Sequence, residues 1–136
     1  MITIVPTMRT DVQALPAGRL KRATDHVRDH PDQDLTLATL SALVHMSRYH
    51  FARLFKHSTG LSPHRFVVRA RIERAARLLE TSNLPIGDIG RLVGFRSPSH
   101  FSTVFRRLTN VTPRGHRGRY LRSSGLDEEG SNNETH

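Results

Sequence analysis

The chain is predicted to be all-α, a seven-helix fold of two helix-turn-helix subdomains joined by a long linker helix. Three observations carry that expectation. Apolar residues recur with a 3.6-residue period through most of the chain, and β-type alternation is absent. Several of the periodic stretches open on a helix-start signal such as Ser-Pro or Thr-Pro. The third observation is an internal repeat. Leu37-Ala38-Thr39-Leu40-Ser41-Ala42-Leu43-Val44 matches Ile86-Gly87-Asp88-Ile89-Gly90-Arg91-Leu92-Val93 at an offset of 49. After one residue gained near Arg96, the residues Ser47, His50-Phe51, Phe55, Lys56, Thr59 and Pro63 recur as Ser97, His100-Phe101, Phe105, Arg106, Thr109 and Pro113 at an offset of 50. A repeat of helix, tight turn and capped helix is two copies of one supersecondary unit.

Residues 1–17 lack helical periodicity and hold Pro6 and Pro16, so a flexible lead-in is expected there, with the domain spanning 18–121. Leu20, Ala23 and Val27 mark a first helix, and Leu37, Leu40, Leu43 and Val44 a short second one. Ser47 caps a third, on which Phe51, Leu54 and Phe55 share a face, and Gly60 ends it because glycine tolerates the left-handed backbone. These make a first helix-turn-helix over about 36–59. Ser62-Pro63 opens the linker helix, about 62–81, with the stripe Val68, Ile72, Ala75, Ala76 and Leu79. Pro85 opens a fifth helix (Ile86, Ile89, Leu92, Val93), and Ser97-Pro98 a sixth that buries Phe101, Val104 and Phe105, giving a second helix-turn-helix over about 85–109. Asn110 stands where the first copy has Gly60. Thr112-Pro113 opens a short seventh helix ending near Tyr120, and residues 122–136 read as a disordered acidic tail.

Charge points to the partner. Residues 35–121 carry fifteen Arg and Lys against only Glu73, Glu80 and Asp88, while the whole chain of 136 residues has a formal charge of +9. Such a balance suits a polyanion, whose phosphates release counterions when neutralised. There is no cysteine, hence no disulfide framework, thiol nucleophile or Cys-based zinc site. No run is long and apolar enough to span a membrane, and no signal peptide is legible, so a cytoplasmic protein is expected. His26 and His30 stand at i, i+4, but they lack carboxylate or cysteine partners, and no metal or cofactor is expected.

The two repeated helices carry the chemistry. In a helix-turn-helix the second helix presents its outer face to the major groove, which is wide enough to admit it. With the phenylalanines inward, the third helix offers Arg48, Tyr49, Ala52, Arg53 and Lys56, and the sixth offers Pro98, Ser99, Ser102, Thr103, Arg106 and Arg107. Arginine forks match guanine O6 and N7, whereas a lysine suits phosphate. Tyr49 has a bland alternative as cover for the core edge. The sixth helix is short-chained until its terminal arginines, so weaker direct readout is expected there. His50 and His100 are expected to support the turn or touch phosphate.

The segments SRYHFARLFKHSTGLSP and RARIERAARLLETSNLPIGDIGRLVGFRSPSHFSTVFRRLTNVTP resemble the C-terminal DNA-binding domain of the AraC/XylS family of bacterial regulators, over about Pro16 to Tyr120. The resemblance implies transcriptional control, with the third and sixth helices as recognition helices and the fourth as linker. Its base-reading sites match Arg48, Tyr49, Ala52 and Arg53 in the first unit and Pro98, Ser99, Ser102 and Thr103 in the second. Departures are His45-Met46 in place of a glycine-led turn, Asn110 for a common glycine, and Gly90 for a common alanine, which is expected to loosen the second unit. The chain has no room for a separate effector domain, so it resembles the stand-alone members or an isolated DNA-binding portion. The implied protein is a transcription regulator, expected to activate, located in the bacterial nucleoid. It is expected to bind double-stranded DNA as a monomer and to meet RNA polymerase at the promoter. A twenty-residue linker helix is about 30 Å long, near the roughly 34 Å of one DNA turn, so two successive major-groove segments of an asymmetric site are expected to be read.

Two other classes compete with this reading. A sequence-neutral nucleoid protein shares the charge but predicts little preference among DNA sequences. An enzyme would need a nucleophile with its base, a phosphate loop or a metal motif, and none is legible, so no enzyme is expected.

Overall fold

The computed structural model describes residues 15–123, and these form seven α-helices and no strand. They are α1 (Ala17–Asp29), α2 (Leu37–Leu43), α3 (Arg48–Thr59), α4 (Pro63–Thr81), α5 (Ile86–Leu92), α6 (Pro98–Thr109) and α7 (Pro113–Ser123). The expected lead-in and acidic tail lie largely outside the described residues. Where they overlap, order extends further than expected. Leu15 is buried and its backbone N–H donates to Ser58 Oγ at 2.9 Å, and α7 continues to Ser123 instead of ending near Tyr120.

The helices fall into two compact units that divide between Ala70 and Arg71, inside α4. In the first unit, Ala23 and Val27 of α1, Leu40 and Val44 at α2, Phe51, Leu54 and Phe55 of α3, and Val67 and Ala70 of α4 make one core. Phe51 and Phe55 lie 5.3 Å apart between ring centroids, and Phe66 meets Phe55 edge-on at 5.2 Å. Arg28 places its guanidinium 5.4 Å from the centre of the Phe66 ring, a cation–π contact that keeps this arginine on its own fold.

The second unit is built the same way from Ile72, Ala75 and Leu79 of α4, Ile89 and Val93 at α5, and Phe95, Phe101, Val104 and Phe105. Here α7 supplies an extra tie. The His116 ring meets Phe105 edge-on at 5.6 Å and its Nε2 lies 2.8 Å from Glu80 Oε2. Arg117 donates from Nε to Leu79 O and from Nη2 to Ser82 O, both at 3.0 Å, satisfying carbonyls that the end of α4 leaves without helical partners.

Repetition extends to the backbone. Thr36, Ser47 and Ser97 each cap the following helix through the side chain. In the first turn His45 N–H donates to Ala42 O and Met46 N–H to Ser41 O; in the second Gly94 donates to Arg91 O and Phe95 to Gly90 O. The residue at the bend has a left-handed backbone in both copies, φ +59° at His45 and +105° at Gly94. Gly60 and Asn110 end α3 and α6 with φ +83° and +67°, as their shared tolerance of that region requires. Thr59 and Thr109 each donate to the carbonyl four residues back and accept from the N–H two residues on.

Three expectations need correction. Val67 rather than Val68 is the buried valine of α4, whose buried positions up to Ala70 are Pro63, Val67 and Ala70, while Ile72, Ala75 and Leu79 serve the second unit. Leu92 is 53% exposed, unlike its half-buried counterpart Leu43. Gly90 does not loosen the second unit. It is buried, and a Cβ built on it would lie 2.9 Å from Phe101 Cγ and Cδ2, so the missing side chain is what lets Phe101 rest directly on α5.

Candidate nucleic-acid interface

Helices α3 and α6 each expose one continuous arc. At about 100° per residue, burying Phe51, Leu54 and Phe55 turns Arg48, Ala52, Lys56, Tyr49, Arg53 and His57 outward, in that angular order, over roughly half the circumference. The same turn on α6 exposes Pro98, Ser102, Arg106, Ser99, Thr103 and Arg107 behind Phe101, Val104 and Phe105. The eleven residues expected from sequence are all exposed, save Ala52 and Ser102, which are half-buried.

The caps set where each arc begins. Ser47 Oγ accepts from His50 N–H at 3.2 Å and Ser97 Oγ from His100 N–H at 3.1 Å, so both helices start at the same point of the repeat. Each hydroxyl satisfies one of the free N–H groups of its first turn. The N–H groups that the caps satisfy are those of His50 and His100, a contact that any residue type makes at this place. The His100 ring also meets Phe95 edge-on at 5.6 Å.

The arcs differ in chemistry. α3 carries two guanidinium forks, a tyrosine, a methyl and an ammonium, whereas α6 carries a proline ring and three hydroxyl side chains before the two arginines of its last turn. Among the described residues Arg48, Arg53, Lys56, Arg106 and Arg107 take part in no ion pair, unlike Lys21, which pairs with Asp25, and Arg91, which pairs with Asp88. Both arcs thus hold uncompensated positive charge. Arg53, Lys56, His57 and Gly60 line an open hollow at the C-terminal end of α3. The sequence reading passed over His57, although it stands four residues after Arg53 and thus on the same face. Not every cation is free for a partner, since Arg28, Arg91 and Arg117 are engaged within the fold. Tyr49 does not cover the core edge: it is 76% exposed.

A family model described as a helix-turn-helix domain matches residues 40–119, which hold both arcs. Over 107 residues, 79% of the chain, the sequence is 34% identical to the HTH-type transcriptional regulator MtrA of Neisseria gonorrhoeae, of which it covers 34%. Among solved structures it resembles the DNA-binding domain of the global transcriptional factor AdpA in complex with a target DNA, at 31% identity and a TM-score of 0.74, covering 79% of this chain and 96% of that one. A transcriptional regulator of Chromobacterium violaceum, titled as containing an AraC-type DNA-binding domain, gives 31% identity and 0.73, over 79% of this chain and 94% of that one. The chain spans about a third of the length, or less, of the curated relatives it matches.

Proposed function

The chain belongs to the AraC-type family of helix-turn-helix DNA-binding domains, and we propose that it is a sequence-specific regulator of transcription that places α3 and α6 in the major groove of double-stranded DNA. One observation carries this reading. The fold presents the same capped helix twice, each time with an outer face that holds cations and no acid. The solved complex of the related AdpA domain with its target DNA supports it.

In this reading Arg48 and Arg53 read base edges, most readily guanine, while Lys56, Arg106 and Arg107 bind phosphates. Ser99, Ser102 and Thr103 make weaker direct contacts, and Pro98 sets the start of α6 against the groove. Because the two faces differ, the site is asymmetric, and one chain engages it as a monomer. Acting in the bacterial nucleoid, the bound protein contacts RNA polymerase and activates the promoter.

Selection of bound sequences from random duplexes, followed by competition with bulk genomic DNA, tests the reading. The expected result is an enriched asymmetric motif that outcompetes genomic DNA by about 10³-fold or more. No enrichment would leave a sequence-neutral nucleoid protein, which shares the charge but not the selectivity. Transcription in vitro from a promoter bearing the motif then separates activation from repression.

A further inference from the structure

Tyr49 is the most exposed large hydrophobic residue described, at 76%, and among the described residues its side chain makes no hydrogen bond or ring contact. Exposing an aromatic ring to water brings no stability. The internal repeat supplies a control for any structural role. Ser99 occupies the equivalent place on α6, and that helix forms with the same length, the same serine cap and the same buried aromatic pair. An aromatic residue at this position is therefore not needed to build the unit.

Its position is specific. Tyr49 lies in the first turn of α3, near the middle of the exposed arc, with Ala52 three residues on and Arg48 and Arg53 toward either side. The N-terminal residues of a recognition helix are the ones that meet base edges. At the centre of this face the helix thus offers a ring and a methyl, flanked by guanidinium forks. Every functional group on a major-groove edge is a hydrogen-bond donor or acceptor except one, the C5-methyl of thymine. An apolar surface placed there leaves donors and acceptors unpaired over adenine, guanine or cytosine, and gains buried apolar area only over thymine.

We infer that the first unit reads thymine by its C5-methyl group, through the ring of Tyr49 and the methyl of Ala52, with the arginines on neighbouring guanines. The second unit, with Ser99 and Ser102 in those places, does not. This rests on the DNA-reading function proposed above and adds the chemical group recognised.

The test uses the preferred duplex obtained by selection, with each thymine replaced singly by deoxyuridine, which removes the methyl and keeps every pairing edge. Affinity is measured by fluorescence anisotropy for the wild-type chain and for Tyr49→Ser, which installs the second unit's residue at an exposed site. For the wild type, one or two replacements in the half-site whose preference Arg53→Ala relaxes should weaken binding about 3- to 10-fold. Replacements in the other half should change it less than about twofold. Tyr49→Ser should bind the thymine duplex more weakly and be indifferent to deoxyuridine throughout. A wild type insensitive to every replacement, a preferred half-site without thymine, or a Tyr49→Ser protein that keeps the full methyl preference would each overturn the inference while leaving the regulator reading intact. Failure of that reading declares itself earlier, as a selection that enriches no motif.

Discussion

His45 and Gly90 are the residues whose setting departs most from what their type suggests. His45 sits at φ +59°, where its repeat counterpart is Gly94. A side chain in the left-handed region costs about 1–2 kcal/mol, while glycine loses about 0.5–1 kcal/mol more chain entropy on folding. His45→Gly should therefore stabilise the first unit by about 0.5–1 kcal/mol, read as a higher denaturant midpoint at unchanged slope. Gly90 presents the opposite case. A Cβ there meets Phe101 at 2.9 Å, and the atoms in the way are the root of a fully buried ring rather than a flexible tip. Gly90→Ala should cost about 1–3 kcal/mol by overpacking, despite the better helix propensity of alanine. An unfolding curve for Gly90→Ala that matches or exceeds the wild type would mean that Phe101 yields freely.

At the level of the element, α3 and α6 share a frame and differ in what they display. Arg53 stands mid-helix on the exposed arc, whereas Arg107 stands in the last turn of α6, beyond the bases that an N-terminal turn would reach. Arg53→Ala should cost about 1–3 kcal/mol of DNA affinity and relax preference at one or two base pairs. Arg107→Ala should weaken binding to all duplexes about equally. Parallel competition assays on the preferred and a scrambled duplex distinguish the two, and a uniform loss from both variants would remove Arg53 from base reading. Arg117 belongs to neither class. It holds the end of α4, so its replacement should lower the stability of the second unit before it touches affinity.

Across the molecule, charge and linkage set the binding behaviour. Fifteen Arg and Lys lie between residues 35 and 121, but two of them, Arg91 and Arg117, are engaged within the fold. About six phosphate contacts would give a slope near −5 for log affinity against log salt. A flat salt dependence on the preferred duplex would refute the electrostatic part of the proposal. The two units are one chain, so engagement of the second follows the first at high effective concentration, an advantage on the order of 10²-fold or more if both can bind at once. Inserting five base pairs between the half-sites turns one of them about half a helical turn away. Affinity should then fall to that of a single half-site with non-specific help, and unchanged binding would mean that one unit reads DNA alone.

The sequence by itself determined the seven helices, their order, the two-fold repetition and the outward faces of α3 and α6. These rest on local signals: a period of apolar residues, serine caps, proline starts and residues that tolerate a left-handed backbone. They are legible because a helix orients its side chains by spacing alone, so burying Phe51 and Phe55 decides that Arg53 faces out. What only the tertiary structure decided lies where helices meet. Gly90 reads as a weak point of a helix until Phe101 is seen to occupy the place of its side chain. Likewise Arg117 counts as one more cation for DNA until the carbonyls of Leu79 and Ser82, thirty-eight and thirty-five residues earlier, are found to hold it. His116 and Glu80 pair across thirty-six residues, and Tyr49 proves exposed rather than packed. Each of these depends on which atoms approach from elsewhere in the chain, and distance in space between residues far apart in sequence is not written in any local period.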